Sequence, residues 1–172
     1  MDELNARVRQ DIEQHGWHVG KIAGDDYAPA WAFTIGLAER YQHAEVIAFG
    51  LELEVMHTLL NRIGSLVRGG RSFAPSAGEP IREPDVLQGL ECSFRPVATR
   101  WREVFAGNIG WYYRERSWEL VQCFWPDPES RFPWEPGFDS GLAAHQPKLY
   151  EPDEAHALAP GLAKVLRDEG TL

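Results

Sequence analysis

The 172-residue chain is short of cysteine, of long apolar runs and of positive charge. Its two cysteines, Cys92 and Cys123, stand outside any Cys-x-x-Cys pattern and have no histidine at ligand spacing. A disulfide scaffold and a structural zinc site are therefore not expected, and two buried free thiols are expected rather than a reactive pair. No apolar stretch reaches the roughly 18 residues that a membrane helix needs. The N-terminal Met1-Asp2-Glu3 lacks the basic and apolar regions of a secretion signal, so a cytoplasmic location is expected. Seventeen Lys and Arg face 26 Asp and Glu, a net charge of −9, and nucleic-acid binding, which needs clustered cations, is not expected. Also missing are a Gly-x-Ser-x-Gly elbow, a Walker loop, a Gly-x-Gly-x-x-Gly turn and a His-Glu-x-x-His motif. No cofactor is implied.

What is present is an ordinary globular composition, 44% hydrophobic and 25% charged, with seven Trp. The length suits one domain spanning residues 1–172. Leu4, Val8 and Ile12 recur every four residues over Asp2 to Gln14, a helical stripe that Gly16 ends. A short strand follows around Trp17 and Val19, then a turn at Gly24-Asp25-Asp26. Trp31 to Leu37 reads as a strand entering the core, and Glu45 to Gly50, almost wholly apolar, as a central one. Glu52 to Arg68 is the clearest helix, closed by Gly69-Gly70. Residues 71–89 read as an extended loop or flap. Further strands are expected at Glu91–Ala98 and Trp118–Trp125, with a short helix at Arg100–Tyr113 between them. Phe132 to Pro147 reads as an ordered, irregular strap. Residues 153–168 form a C-terminal helical extension that Pro160 breaks near residue 159. Helices at the ends and middle, without regular alternation with strands, give an α+β fold. The expected core is a mainly antiparallel sheet of about five strands, flanked by an N-terminal, a central and a C-terminal helix.

Four stretches in order, His15-Gly16-Trp17, Phe33-Thr34-Ile35-Gly36-Leu37 with His43-Ala44-Glu45, Phe49-Gly50-Leu51 before Leu60-Asn61, and Gln122-Cys123-Phe124-Trp125-Pro126-Asp127 with Arg131-Phe132-Pro133-Trp134, resemble a bacterial family. It is domain-of-unknown-function family 4262. The resemblance covers roughly residues 10–150 and implies a location for a site but no activity. The chain departs from the family's His-Pro-Glu pattern in having Ala44, which removes a fixed φ ahead of the strand.

The polar residues in these stretches are the candidates. Thr34 interrupts an apolar strand, and Gly36 two residues on leaves room for a ligand or another chain segment. His43 and Glu45, also two apart, would share a strand face; a His beside a carboxylate can act as base, acid or metal ligand. The alternative is a solvent-exposed strand end. His15 would cap the first helix or take part in chemistry. Asp127, locked between Pro126 and Pro128, is either a held functional carboxylate or an Asx-turn. Buried Gln122 would satisfy the 131–134 strap or read a ligand. A metal would need His15, His43, Glu45 and Asp127 to converge. Arg95, Arg100, Arg102, Arg114, Arg116 and Arg131 form either a solvated face or a local anion site.

Three functions compete. The first is a binding protein that holds a small molecule or protein partner in an aromatic cleft of Trp31, Trp125 and Trp134 with the 71–89 loop; the ligand contacts would fall to His15, Trp17, Thr34, Gln122, Trp125 and Trp134. The second is a hydrolase-like enzyme with His43 as base, paired to Glu45, and Asp127 orienting substrate. The third is a flavin- or nucleotide-binding protein with Arg side chains and Thr34 on a phosphate. Self-association into a homo-oligomer is compatible with all three.

Overall fold

The fold is that of a computed structural model, which describes residues 2–75 and 80–172. Helix α1, Asp2–His15, buries Val8 and Ile12 but leaves Leu4 54% exposed. Gly16, at φ 97°, ends it and returns its N–H to the Ile12 carbonyl at 3.0 Å. Strand β1, His18–Ile22, joins β2, Trp31–Ile35, across a turn in which Asp25 accepts from the N–H groups of Tyr27 and Ala28. Gly36 then leaves the strand at φ 119° and begins a short helix α2, Leu37–Tyr41, where a strand through Leu37 followed by a polar break was expected. Strand β3 is Glu45–Phe49 and helix α3 is Leu53–Arg68.

The 71–89 segment is not wholly a loop. Ile81–Leu87 is strand β4, which pairs with β5, Leu90–Pro96, in a hairpin. Its polar sequence and Pro84 hide it, yet an edge strand with an irregular register between Glu83 and Leu87 tolerates both. Residues 76–79 of the expected flap lie outside the described residues. Helix α4, Thr99–Tyr113, is kinked at Ala106, and the indole Nε1 of Trp31 donates to the Phe105 carbonyl beside the kink at 2.9 Å. Strand β6, Leu120–Phe124, follows, then a 3-10 helix at Ser140–His145. The C-terminal segment is two helices, α5 Glu154–Ala157 and α6 Pro160–Asp168, with Pro160 at the first helical position, where its missing N–H costs nothing.

Among the described residues the sheet has six strands, in the order β1-β2-β3-β6-β5-β4. Four neighbouring pairs are antiparallel, but β3 and β6 run parallel, so the sheet is mixed. The parallel pair sits at the centre because both strands are buried on both faces, as their unbroken apolar runs require. One face packs on α3 through Met56, Leu59, Leu60, Ile63 and Val67, each worth about 1.5–3 kcal/mol of gross burial. The other packs on α1, α4 and the C-terminal helices through residues such as Trp101, Phe105, Ile109 and Leu162. Strand β1 is an edge, with α1 on one side of it and α3 on the other.

Candidate functional site

The Thr34, Gly36 and Glu45 motif residues do converge, in a closed interior. At the start of β3 the ladder to β2 stops, and the Val46 N–H donates at 2.9 Å to the Thr34 hydroxyl instead of to backbone. That hydroxyl donates in turn to Glu45 Oε2 at 2.6 Å. Glu45 Oε1 accepts from the N–H groups of Gly36 at 2.9 Å and Ala38 at 3.2 Å, and from the Tyr113 hydroxyl. Burial pushes the Glu45 carboxyl up to about 7, against four hydrogen bonds that favour its charged form. Burial and the adjacent Glu45 push the Tyr113 phenol upward as well. Thr34 and Glu45 have no exposed surface, so this joint ties β2, β3, α2 and α4 together and gives a ligand no way in. The space beside Gly36 is taken by the chain itself: a Cβ there would lie 2.9 Å from the Gly16 carbonyl oxygen.

The expected catalytic trio does not assemble. His43 donates from Nδ1 to the Ala44 carbonyl at 2.6 Å and accepts the Phe73 N–H on Nε2 at 2.8 Å, so both ring nitrogens are spent on backbone and neither on Glu45. Burial holds its pKa below the usual histidine value. Because β3 and β6 are parallel with Glu45 opposite Leu120, Asp127 lies beyond the far end of the pair, roughly 20 Å along the strand direction. There it is an Asx-type knot, accepting from the N–H groups of Glu129, Arg131 and Asp139 and from the Arg131 guanidinium. Burial works to raise its pKa, but the bonds from Arg131 and Asp139 outweigh it and hold the carboxyl low. Among the described residues no three His, Cys, Asp or Glu side chains come together as a metal site.

Three of the aromatic candidates are engaged by the protein itself. Trp31 stacks on Phe49, Trp125 donates to the Phe49 carbonyl at 2.7 Å, and Trp134 packs between Phe124, Phe132 and Tyr150. Gln122 holds a strap, though a later one than 131–134: its amide donates to the Pro147 carbonyl and accepts the Leu149 N–H. Five of the six middle arginines are engaged separately. Arg95 lies on Tyr150, Arg100 bonds the Pro152 carbonyl, and Arg102, Arg116 and Arg131 pair with Glu119, Glu39 and Asp127.

An open site lies elsewhere, along the free edge of β1, as a cleft of about 710 Å³ between α1 and α3. Leu4, Arg7, Asp11 and His15 of α1 form one wall, at helical spacing. His57, Asn61, Ser65 and Arg68 of α3 form the other, also at helical spacing, and Trp17, His18, Val19 and Lys21 lie between. Trp17 rests on α3 at Gly64, where a Cβ would come within 2.4 Å of the indole. Its Nε1 can only donate, and it does so to Asn61 Oδ1 at 2.9 Å. The Asn61 amide nitrogen therefore faces His57 Nε2, at 3.2 Å, which must accept. The His57 proton is then on Nδ1, 4.0 Å from Glu54, whose other oxygen takes Lys21 at 3.1 Å. On the opposite wall Asp11 Oδ2 meets His18 Nδ1 at 2.7 Å, which fixes the tautomer and leaves Nε2 without a protein partner among the described residues.

His15 and Trp17 were legible as candidates and Asn61 as a motif residue, but Asp11, His18, His57 and Arg68 were not. Two polar stripes, Arg7-Asp11-His15 and His57-Asn61-Ser65-Arg68, carried the signal, each beside an apolar stripe on the same helix.

This is an α+β domain with a polar cleft at a sheet edge. The chain belongs to the family described as Domain of unknown function (DUF4262), which matches residues 11–139. No curated protein and no solved structure matches it. Among the described residues no helix is long and apolar enough to cross a membrane.

Proposed function

We propose that this is a small-molecule-binding protein of the bacterial cytoplasm whose ligand occupies the cleft between α1 and α3. The observation that carries the reading is the chain Trp17–Asn61–His57: His57 orients Asn61, and Asn61 fixes the indole at the wall of an open cleft. A concave site with a few oriented polar groups is what small-ligand recognition requires. Motif residues His15, Trp17 and Asn61 all line it, which supports placing the site here rather than at the buried Glu45 joint. The test is a thermal-shift screen against a broad metabolite panel, with Ser65→Trp as a blocked control, since Ser65 is an exposed lining residue. A ligand at 100 times its dissociation constant stabilises by about 2.7 kcal/mol, and Ser65→Trp should abolish the shift. A panel without any hit, or hits that Ser65→Trp leaves intact, would refute the reading.

A hydrolytic reading rests on the Asp11–His18 contact, a His–carboxylate pair that borders this cleft with a ring nitrogen to spare among the described residues. His18 would act as general base, with Asp11 orienting it, in place of His43 and Glu45. Hydrolysis of activated esters by the wild type, and its loss by about 100-fold or more in His18→Gln, is the outcome this requires. A wild-type rate no faster than that of His18→Gln ends it.

A further inference from the structure

We propose that the occupant of the α1–α3 cleft is a small organic anion carrying more than one negative charge. The inference rests on the reading of this cleft as the binding site and adds the chemical class of its ligand. The chain as a whole is acidic, at −9, yet the cleft lining holds three formal cations, Arg7, Lys21 and Arg68, against one carboxylate, Asp11. Asp11 is already engaged by His18, and Lys21 by Glu54. Arg7 and Arg68 make no ion pair among the described residues, so within this lining they are the cations that no protein carboxylate answers.

The two free guanidinium groups belong to opposite walls, one on α1 and one on α3. A phosphate ester or a polycarboxylate carries the two negative charges that match them, which a monovalent group does not. Arg68 is also stacked on the Trp17 ring, 5.3 Å from its centroid, which keeps its fork of N–H donors beside the indole. A positive cleft in a negative protein also concentrates anions locally and repels them elsewhere, so binding selects for molecules small enough to enter.

The experiment is isothermal titration of the full chain with pyrophosphate, adenosine diphosphate, citrate and adenosine, at low and high salt. At least one of the three anions should bind, more weakly at high salt, and adenosine should not. Arg7→Gln and Arg68→Gln should each weaken that binding about tenfold, the usual scale of one charge-assisted bond. Both side chains are exposed, and circular dichroism checks that the variants fold. Pyrophosphate and the diphosphate binding in preference to citrate identifies a phosphate ligand, and the reverse order a polycarboxylate. No binding by any of the anions, binding indifferent to both arginines, or adenosine binding as tightly as the diphosphate would overturn the inference. In the last case, loss of adenosine binding in Ser65→Trp would retain the cleft and remove only the anion. Anion binding that persists in Ser65→Trp would instead remove the cleft itself.

Discussion

Glu45→Gln separates the two forces that act on the buried joint. Glu45 is wholly buried, and its carboxyl titrates at about 7 against an ordinary value of 4.5. Between those values the folded protein holds a proton that the unfolded chain has released, so stability falls as pH rises through this window. The contribution is complete below about pH 4.5 and gone above about pH 7. At about 1.4 kcal/mol per pH unit, the difference amounts to roughly 3 kcal/mol. Glutamine cannot ionise, so the variant escapes this loss while keeping an oxygen for Gly36 and Ala38. Urea unfolding of both proteins from pH 4 to pH 8 measures the effect. The stability of wild type relative to Glu45→Gln should fall by roughly 3 kcal/mol across that range, or by about 6–12 °C in melting temperature for a domain of this size. A difference that is flat with pH, or that grows in favour of the wild type, would mean that the four donors keep Glu45 ionised and that burial does not dominate.

Three further outcomes follow from the same contacts. Thr34→Val removes the donor to Glu45 and orphans the Val46 N–H, and should cost about 2–4 kcal/mol in denaturant unfolding. Asn61→Leu leaves the Trp17 indole N–H unpaired; it should destabilise by about 1–3 kcal/mol and shift the intrinsic fluorescence, whereas an unchanged spectrum would mean that the Trp17–Asn61 bond does not set the indole's position. Asp127→Ala strips the acceptor from three backbone N–H groups and Arg131, so the melting temperature should drop at neutral pH. Because the wild-type carboxyl is held low, the gap between the two proteins should close as acid protonates Asp127, and ligand binding at the β1 cleft should be unchanged.

Most of the architecture was legible because it is written in local periodicity. The four-residue stripe of α1, the apolar face of α3, the unbroken runs of β3 and β6 and the break at Pro160 each follow from burial that a helix or strand must achieve. Strand β4 was not legible, because an exposed edge strand has little apolar pattern to show. The one-turn helix α2 was hidden for a different reason: the Gly36 turn that starts it is packed against Gly16, 20 residues earlier in the chain.

The motifs marked which residues matter without saying for what. Thr34, His43, Glu45, Gln122 and Asp127 are polar residues in apolar stretches, and the sequence alone establishes that each needs partners when buried. It could not say whether those partners are ligand or protein, because hydrogen bonds such as Glu45 to Tyr113, His43 to Phe73 and Gln122 to Pro147 join residues distant in the chain. The parallel pairing of β3 with β6 sends Asp127 to the opposite end of the sheet from His43. The cleft is also a tertiary product: each helix carries its own polar stripe, but only the edge position of β1 sets the two stripes face to face.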